Sequence, residues 1–385
     1  MEQLVSGRLK YLLLAFPVIA CETAPAQGPA QRSPGPRSTD GAIKVETVAR
    51  GLVNPWGFEF LPDGRMIVTE RPGRVRIVSR DGALSAPLAG VPEVAARGQG
   101  GLLDVTLDPA FATNRLVYLS YSEPAPDGKA GTTVARARLG DGRLENLRVI
   151  YRQEPKVSSS SHFGSRIVFA PDGKLFITQG DRASYRTEAQ NLGSHIGKVI
   201  RINPDGSVPR DNPFVSRSGA RPEIWSYGHR NVQAAAIEPT TGRLWTVEHG
   251  ARGGDELNHP EAGKNYGWPV ITYGRDYSGS KIGEGTEKAG MEQPVYYWDP
   301  VIAPSGMTFY TGSAFAGWKG SALVGGMSPG RLVRLTLRNG RVASEEQYLG
   351  DLGERIRDVR QGPDGLIYVI TDSSNGRILR LSPNR

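Results

Sequence analysis

His162 stands in Ser158-Ser159-Ser160-Ser161-His162-Phe163-Gly164-Ser165-Arg166, directly before an apolar, strand-like run; Asp181 closes the next such run in Gln179-Gly180-Asp181. If the two runs form a hairpin, both residues fall at one end of it, where a carboxylate can orient an imidazole for proton transfer. Taken singly, His162 reads as readily as a loop residue, and Asp181 as a turn-forming Asx. Arg355 and Arg357 are two apart, so on a strand they point to one face. With Arg230, in His229-Arg230-Asn231, they would suit a multiply charged anion, because guanidinium pairs bidentately with carboxylate; the alternative is solvated surface arginines. The run Glu248-His249-Gly250-Ala251-Arg252-Gly253-Gly254-Asp255-Glu256 joins carboxylates to glycine-rich backbone. Calcium prefers hard oxygen ligands on such a loop, although the spacing is not that of an EF-hand.

Several chemistries are excluded. The five histidines include no H-E-x-x-H, and the single cysteine forbids both C-x-x-C and an intrachain disulfide. Gly98-Gln99-Gly100-Gly101 lacks the lysine of a phosphate loop, and no G-x-S-x-G nucleophile elbow is present. The formal charge of +8 comes from 47 basic and 39 acidic residues with no block of like charge. It argues mildly for anionic ligands and against nucleic acid. At 38% hydrophobic, the 385-residue chain has ample material for a core.

The elements that must position these residues follow one repeated phrase, an apolar stretch entering a Pro-Asp-Gly turn and leaving in alternating apolar residues. It runs from Trp56 to Val68 around Asp63-Gly64, from Arg166 to Thr178 around Asp172-Gly173, and from Asp358 to Val369 around Asp364-Gly365. Looser copies surround Asp108-Pro109 and Glu238-Pro239, and a degenerate one spans residues 305–324. Asp-Gly between alternating strands marks a hairpin, because glycine supplies the positive φ of the turn. Six copies at about 58 residues each predict an all-β fold, a six-bladed β-propeller of four-stranded antiparallel blades with long loops; a pair of β-sandwiches is the alternative. A propeller gathers loops from every blade at one end of its channel, so distant residues can share a site.

Residues 1–20 read as a signal peptide, with Arg8 and Lys10 before the apolar run Tyr11–Ala20, which is too short to span a bilayer. Val18-Ile19-Ala20-Cys21 is a lipobox-like phrase, and Ala24-Pro25-Ala26 is the rival cleavage site; a buried N-terminal helix is a third reading. The expectation is a periplasmic, cell-envelope protein anchored through a lipid on Cys21, or otherwise a secreted soluble one. Residues 21–40, rich in Pro, Ala and Ser, read as a linker, leaving residues 41–385 as the propeller.

These phrases together resemble the glucose/sorbosone dehydrogenases, the soluble quinoprotein sugar dehydrogenases. The resemblance runs from about residue 43 to the C-terminus through Gly98–Asp104, His162–Arg166, Glu223–Gly228, His249–Glu256, Gly263–Pro269 and Arg355–Val359. It implies a propeller that binds pyrroloquinoline quinone (PQQ) and calcium and oxidises aldoses at the anomeric carbon to lactones. Electrons would then pass to an external acceptor: a quinone, dye or cytochrome. The implied base is His162 with Asp181 as its partner, and Gln99 falls beside sugar and quinone. Arg230, Asn231, Arg355 and Arg357 would hold the quinone, Arg230 also stabilising charge on its oxygen. The carbonyls of Gly250 and Ala251 would hold the cofactor's calcium; Asp255, Glu256 and the Tyr266 carbonyl would hold a structural one. Two departures stand out. Ser328, in Met327-Ser328-Pro329, replaces the family's usual lysine, a charge-assisted contact worth about 1.5–3 kcal/mol, for which Lys319 or Arg331 are candidate substitutes. Ala251 replaces a frequent proline. A calcium-dependent propeller hydrolase of lactones and a non-catalytic lipid-anchored binding propeller remain the competing readings.

Overall fold

The computed structural model describes residues 29–35, 37–39 and 41–384; residues 1–20, read as a signal peptide, and Cys21 lie outside the described residues. Six small antiparallel sheets are arranged as a six-bladed β-propeller. The innermost strands are Pro55–Phe60, Leu102–Leu107, Ile167–Phe169, Val232–Ile237, Pro304–Phe309 and Ile356–Gln361. Each is the first half of a repeated phrase, and the second half forms the next strand of the same blade. Three of the turns between them use one device. The carboxylates of Asp63, Asp172 and Asp364 each accept the backbone N–H two residues on, and the glycine between takes a positive φ, +83° at Gly64. The degenerate copy has no such turn because Tyr310, Phe315 and Trp318 pack against one another in its place.

Second strands such as Leu175–Thr178 are buried throughout, since each lies between two neighbouring blades. Leu175 and Ile177 meet Tyr118 and Val134 of the second blade, while Phe176 meets Ala235 and Leu244 of the fourth. Burying each such side chain stabilises the fold by about 1.5–3 kcal/mol. The circle closes where Ile43–Leu52 pairs with Gly376–Pro383, so both ends of the propeller domain share the sixth blade.

Two local departures from the expected pattern have physical causes. The first blade has three regular strands, and its fourth is an irregular run in which Ser85 and Leu88 donate to the carbonyls of Ile77 and Val75. The stretch read as a linker is in part docked. Gln31–Arg32 pairs with Tyr296–Tyr297, and Arg37–Ser38 with Glu346–Gln347, both parallel. Outer strands of a blade present unpaired backbone groups, and an extended segment satisfies them whatever its hydrophobicity.

On the axis sits Arg166, fully buried. It donates to Asp104 Oδ1 (2.7 Å), Asp358 Oδ2 (3.2 Å), the Ser305 carbonyl (2.8 Å) and the Gln233 carbonyl (3.2 Å). Its guanidinium carbon lies 4.4 Å from the Trp56 ring centroid. One side chain from the third blade thus touches the inner strand of each of the other five.

Candidate active site

The loops that precede the first strand and follow the second strand of each blade meet at one mouth of the channel. Four residues before Arg166, His162 adopts φ +52° and donates its backbone N–H to Gln99 Oε1 (2.8 Å). Its Nδ1 lies 2.6 Å from Asp181 Oδ1. Asp181 is buried; it also accepts the Trp268 indole N–H at Oδ2 (2.8 Å) and the Ala183 N–H at Oδ1 (2.8 Å), and its own N–H donates to the Arg230 carbonyl (2.6 Å). An ionised carboxylate only accepts, so Nδ1 carries the hydrogen and Nε2 is left with the lone pair. Asn231 Oδ1 accepts the Gly164 N–H (3.1 Å). Position 164 requires glycine, because a Cβ there would stand 2.5 Å from the Gln179 backbone.

The arginines converge as well. Arg230 donates to the carbonyls of His249 (3.2 Å) and Gly250 and lies 5.2 Å from the Trp268 ring centroid. Arg357 donates to Asp372 Oδ2 (2.8 Å) and Gln233 Oε1 (3.1 Å). Half-exposed Arg355 donates to Asp372 (3.2 Å) and the Met327 carbonyl (3.3 Å). Burial alone would raise the Asp372 carboxyl, but Arg357, then Arg355 and Arg71, outweigh it and hold it below its ordinary value. Burial, followed by the charge of Arg230, pulls His249 well below the usual imidazole range. The Nε atoms of Arg71, Arg230 and Arg357 and Oδ1 of Asp372 are buried without partners. Three guanidiniums, those of Arg71, Arg355 and Arg357, therefore share one carboxylate, and that of Arg230 stands near with its Nε also unspent.

The acidic loop is arranged differently from the expectation. Both oxygens of Asp255 serve backbone N–H groups, Oδ1 that of Gly250 (2.7 Å) and Oδ2 those of Ile302 and Ala303 (both 2.8 Å). Burial nevertheless raises it to about 6. Burial and then the charge of Glu248 push Glu256 well above the usual carboxylate range. Asn258 Nδ2 bridges Glu248 (3.0 Å) and Glu256 (3.2 Å), while its Oδ1 is buried without a partner. The ring of Tyr266 stacks on His229 at 4.8 Å, and His229 in turn holds Glu248. Ala251 bridges Gly253 in a tight turn. Two adjacent buried carboxylates and a spare amide oxygen suit a hard cation. Among the described residues no three His, Cys, Asp or Glu side chains converge as a metal cage, so carbonyl and amide oxygens would have to complete the shell.

Gln99, His162, Asp181, Arg230, Asn231, Arg355 and Arg357 are thus brought together at one mouth. Lys319 lies in the loop between Phe309 and Ala322, at the opposite end, so it cannot stand in for a lysine at position 328. Arg355 instead carries a cation to the adjoining Met327 carbonyl. Sequence reasoning missed Arg71, Asp372, Trp268 and Gln233. Arg71 and Asp372 stand one residue past a second strand, as His249 does, and that shared position was the signal available for them.

The glucose/sorbosone dehydrogenase family model matches residues 52–380. The chain belongs to that family. Aldose sugar dehydrogenase YliI of Escherichia coli (strain K12) is 48% identical over 346 residues, 89% of this chain and 93% of the relative. The crystal structure of the soluble aldose sugar dehydrogenase from Escherichia coli in its apo form has a TM-score of 0.87 at 47% identity, covering 89% of this chain and all (100%) of that one. The PQQ-bound form of aldose sugar dehydrogenase from Streptomyces coelicolor has a TM-score of 0.74 at 29% identity, covering 89% of this chain and 98% of that one.

Proposed function

We propose that this family member is a PQQ- and calcium-dependent aldose dehydrogenase that converts the anomeric C–OH to a lactone. The observation that carries the reading is the surplus of guanidinium at the mouth, where Arg71, Arg355 and Arg357 surround Asp372 and Arg230 adjoins the His162–Asp181 pair. PQQ bears three carboxylates, and charge-assisted bonds from Arg355, Arg357 and the unpartnered Nε atoms answer that charge. A lactone hydrolase would leave these arginines without a role.

When bound, PQQ supplies the acceptor for hydride, and calcium the Lewis acid at its carbonyl. His162 Nε2 takes the proton of the anomeric hydroxyl, and Asp181, held by Trp268 and Ala183, keeps Nδ1–H facing away from the sugar. Gln99, tied to the His162 backbone, flanks the same opening. Arg230, held by the His249 carbonyl, would supply a preorganised positive charge to the bound quinone. The Gly250 carbonyl, which here accepts from Arg230, is with Ala251 the candidate for the cofactor's calcium. Glu256, with Glu248 beside it and the Tyr266 carbonyl, would hold a second calcium, and Asp255 would act indirectly by fixing the Gly250 turn. We place the enzyme in the periplasm or on the envelope on the strength of the N-terminal pattern, with an external quinone, dye or cytochrome as electron acceptor.

The test is titration of the full-length protein with PQQ and calcium, followed by a panel of aldoses. Saturable binding with bleaching of the quinone spectrum by aldoses is expected. Absence of binding, or binding that no aldose bleaches, would overturn the reading.

A further inference from the structure

Arg182 directly follows Asp181 and is fully buried, yet among the described residues no carboxylate forms an ion pair with it. It spends its donors on backbone carbonyls, with Nε on Ser161 (2.9 Å), Nη1 on Ala130 (3.0 Å) and Nη2 on Ser159. Its guanidinium carbon lies 3.6 Å from the centroid of the Phe163 ring. A buried charge without a counter-ion is an expensive way to close a loop that Ser or Gly could close. What it gains is location. Its targets at residues 159, 161 and 163 flank His162 on both sides, while its own backbone sits between Asp181 and Ala183. His162, Arg182 and Ala183 all adopt left-handed backbone, with φ of +52°, +56° and +58°, a conformation that non-glycine residues hold only when their surroundings impose it.

We propose that Arg182 is a positioning residue that locks the Ser159–Phe163 loop onto the turn at residues 181–183 and so sets the Nδ1–Oδ1 contact between His162 and Asp181. The planar fork is essential to this, since it reaches three carbonyls while its face lies on an aromatic ring, and a lysine ammonium can do only part of that. The inference rests on His162 being the base, so its test has one arm that needs no cofactor.

In full-length protein labelled with ring-15N histidine, the His162 signals are assigned by their loss in His162→Gln. The wild type is expected to show the Nδ1–H tautomer with a downfield proton bonded to Asp181. In Arg182→Met that proton signal should be lost or averaged with solvent, and in Arg182→Lys partly retained. With PQQ and calcium added, kcat in Arg182→Met should fall on the order of 100-fold, the scale of a misplacement of about 1 Å, with KM and the quinone Kd within about threefold. Should Arg182→Met fail to fold, Phe163→Leu, which removes the stacking face and keeps an apolar side chain in the cluster with Trp56, Leu103 and Ala130, must weaken the same ring signal. An unchanged tautomer signal in the folded variant, or a kcat loss matched by an equal loss of quinone binding, would overturn the proposal. If the wild type oxidises no aldose, the dehydrogenase reading fails while the ring signal still decides this one.

Discussion

Two groups of arginine lie along the same channel, and they are built to opposite rules. At the hub, Arg166 and Arg360 face Asp104, Asp358 and Glu59, and none of these side chains has a buried atom without a partner. At the mouth, Arg71, Arg355 and Arg357 face Asp372, and the Nε atoms of Arg71, Arg357 and nearby Arg230 remain unpaired. The two groups share a floor. Gln233 gives its carbonyl to Arg166 and its amide oxygen to Arg357, and the Trp56 ring lies under both, 4.4 and 5.9 Å from their guanidinium carbons. A satisfied ion network fixes one arrangement of the blades, whereas an unsatisfied one holds binding capacity for an anion.

The sharpest test of that contrast is Arg166→Met. It takes the closest ion pair from buried Asp104 and leaves Asp104 and Asp358 to Arg360 alone, and should destabilise the fold by about 3–5 kcal/mol, read from the urea midpoint. A shift smaller than about 1 kcal/mol would mean that the hub does not hold the blades. His162→Ala should do the reverse, lowering kcat by about 10²–10⁴-fold with stability within about 0.5 kcal/mol; full activity would remove His162 from the chemistry. Arg355→Ala, at the half-exposed rim, should raise the quinone Kd by about tenfold, the lower end for a charge-assisted bond. It should also flatten the dependence of log Kd on salt and leave the thermal midpoint in place. Loss of stability without loss of affinity would put Arg355 in the structural class.

The smallest expected effect concerns the acidic loop. Glu256 is raised well above its ordinary value, by burial and then by Glu248. A carboxyl raised in this way contributes stability that is fully present below its unfolded value, near 4.5, and is lost as pH rises through the folded one. Chelated protein should therefore lose thermal stability between pH 5 and 8, and calcium should restore more of it at pH 8 than at pH 5. Equal calcium effects at both pH values would separate Glu256 from the cation.

Much of the fold was legible because its signals are local. An Asx carboxylate and a following glycine close a hairpin using atoms two residues apart, so Asp63-Gly64, Asp172-Gly173 and Asp364-Gly365 announce themselves. His162 and Asp181 were legible for a related reason, since they end the two strands of one such hairpin. Asp372 and Arg71 follow second strands in the same way, but neither has a neighbour in sequence that hints at chemistry. The loop holding Asp255 was read as suited to calcium, and the resemblance made Asp255 a ligand; only the packed fold brings the N–H groups of Ile302 and Ala303 to its carboxylate.

The amino-acid order by itself thus determined the hairpins, their number and the kinds of residue at their ends, because turn geometry and strand burial are decided over a few consecutive positions. The tertiary structure alone decided which ends meet. Closing the circle through Ile43–Leu52 and Gly376–Pro383 brings residues 71, 230, 357 and 372 to one mouth, sets Arg166 against all the other inner strands, and lays residues 31–32 and 37–38 along two outer edges. These contacts depend on how six blades pack about an axis, and no short stretch of sequence carries that information.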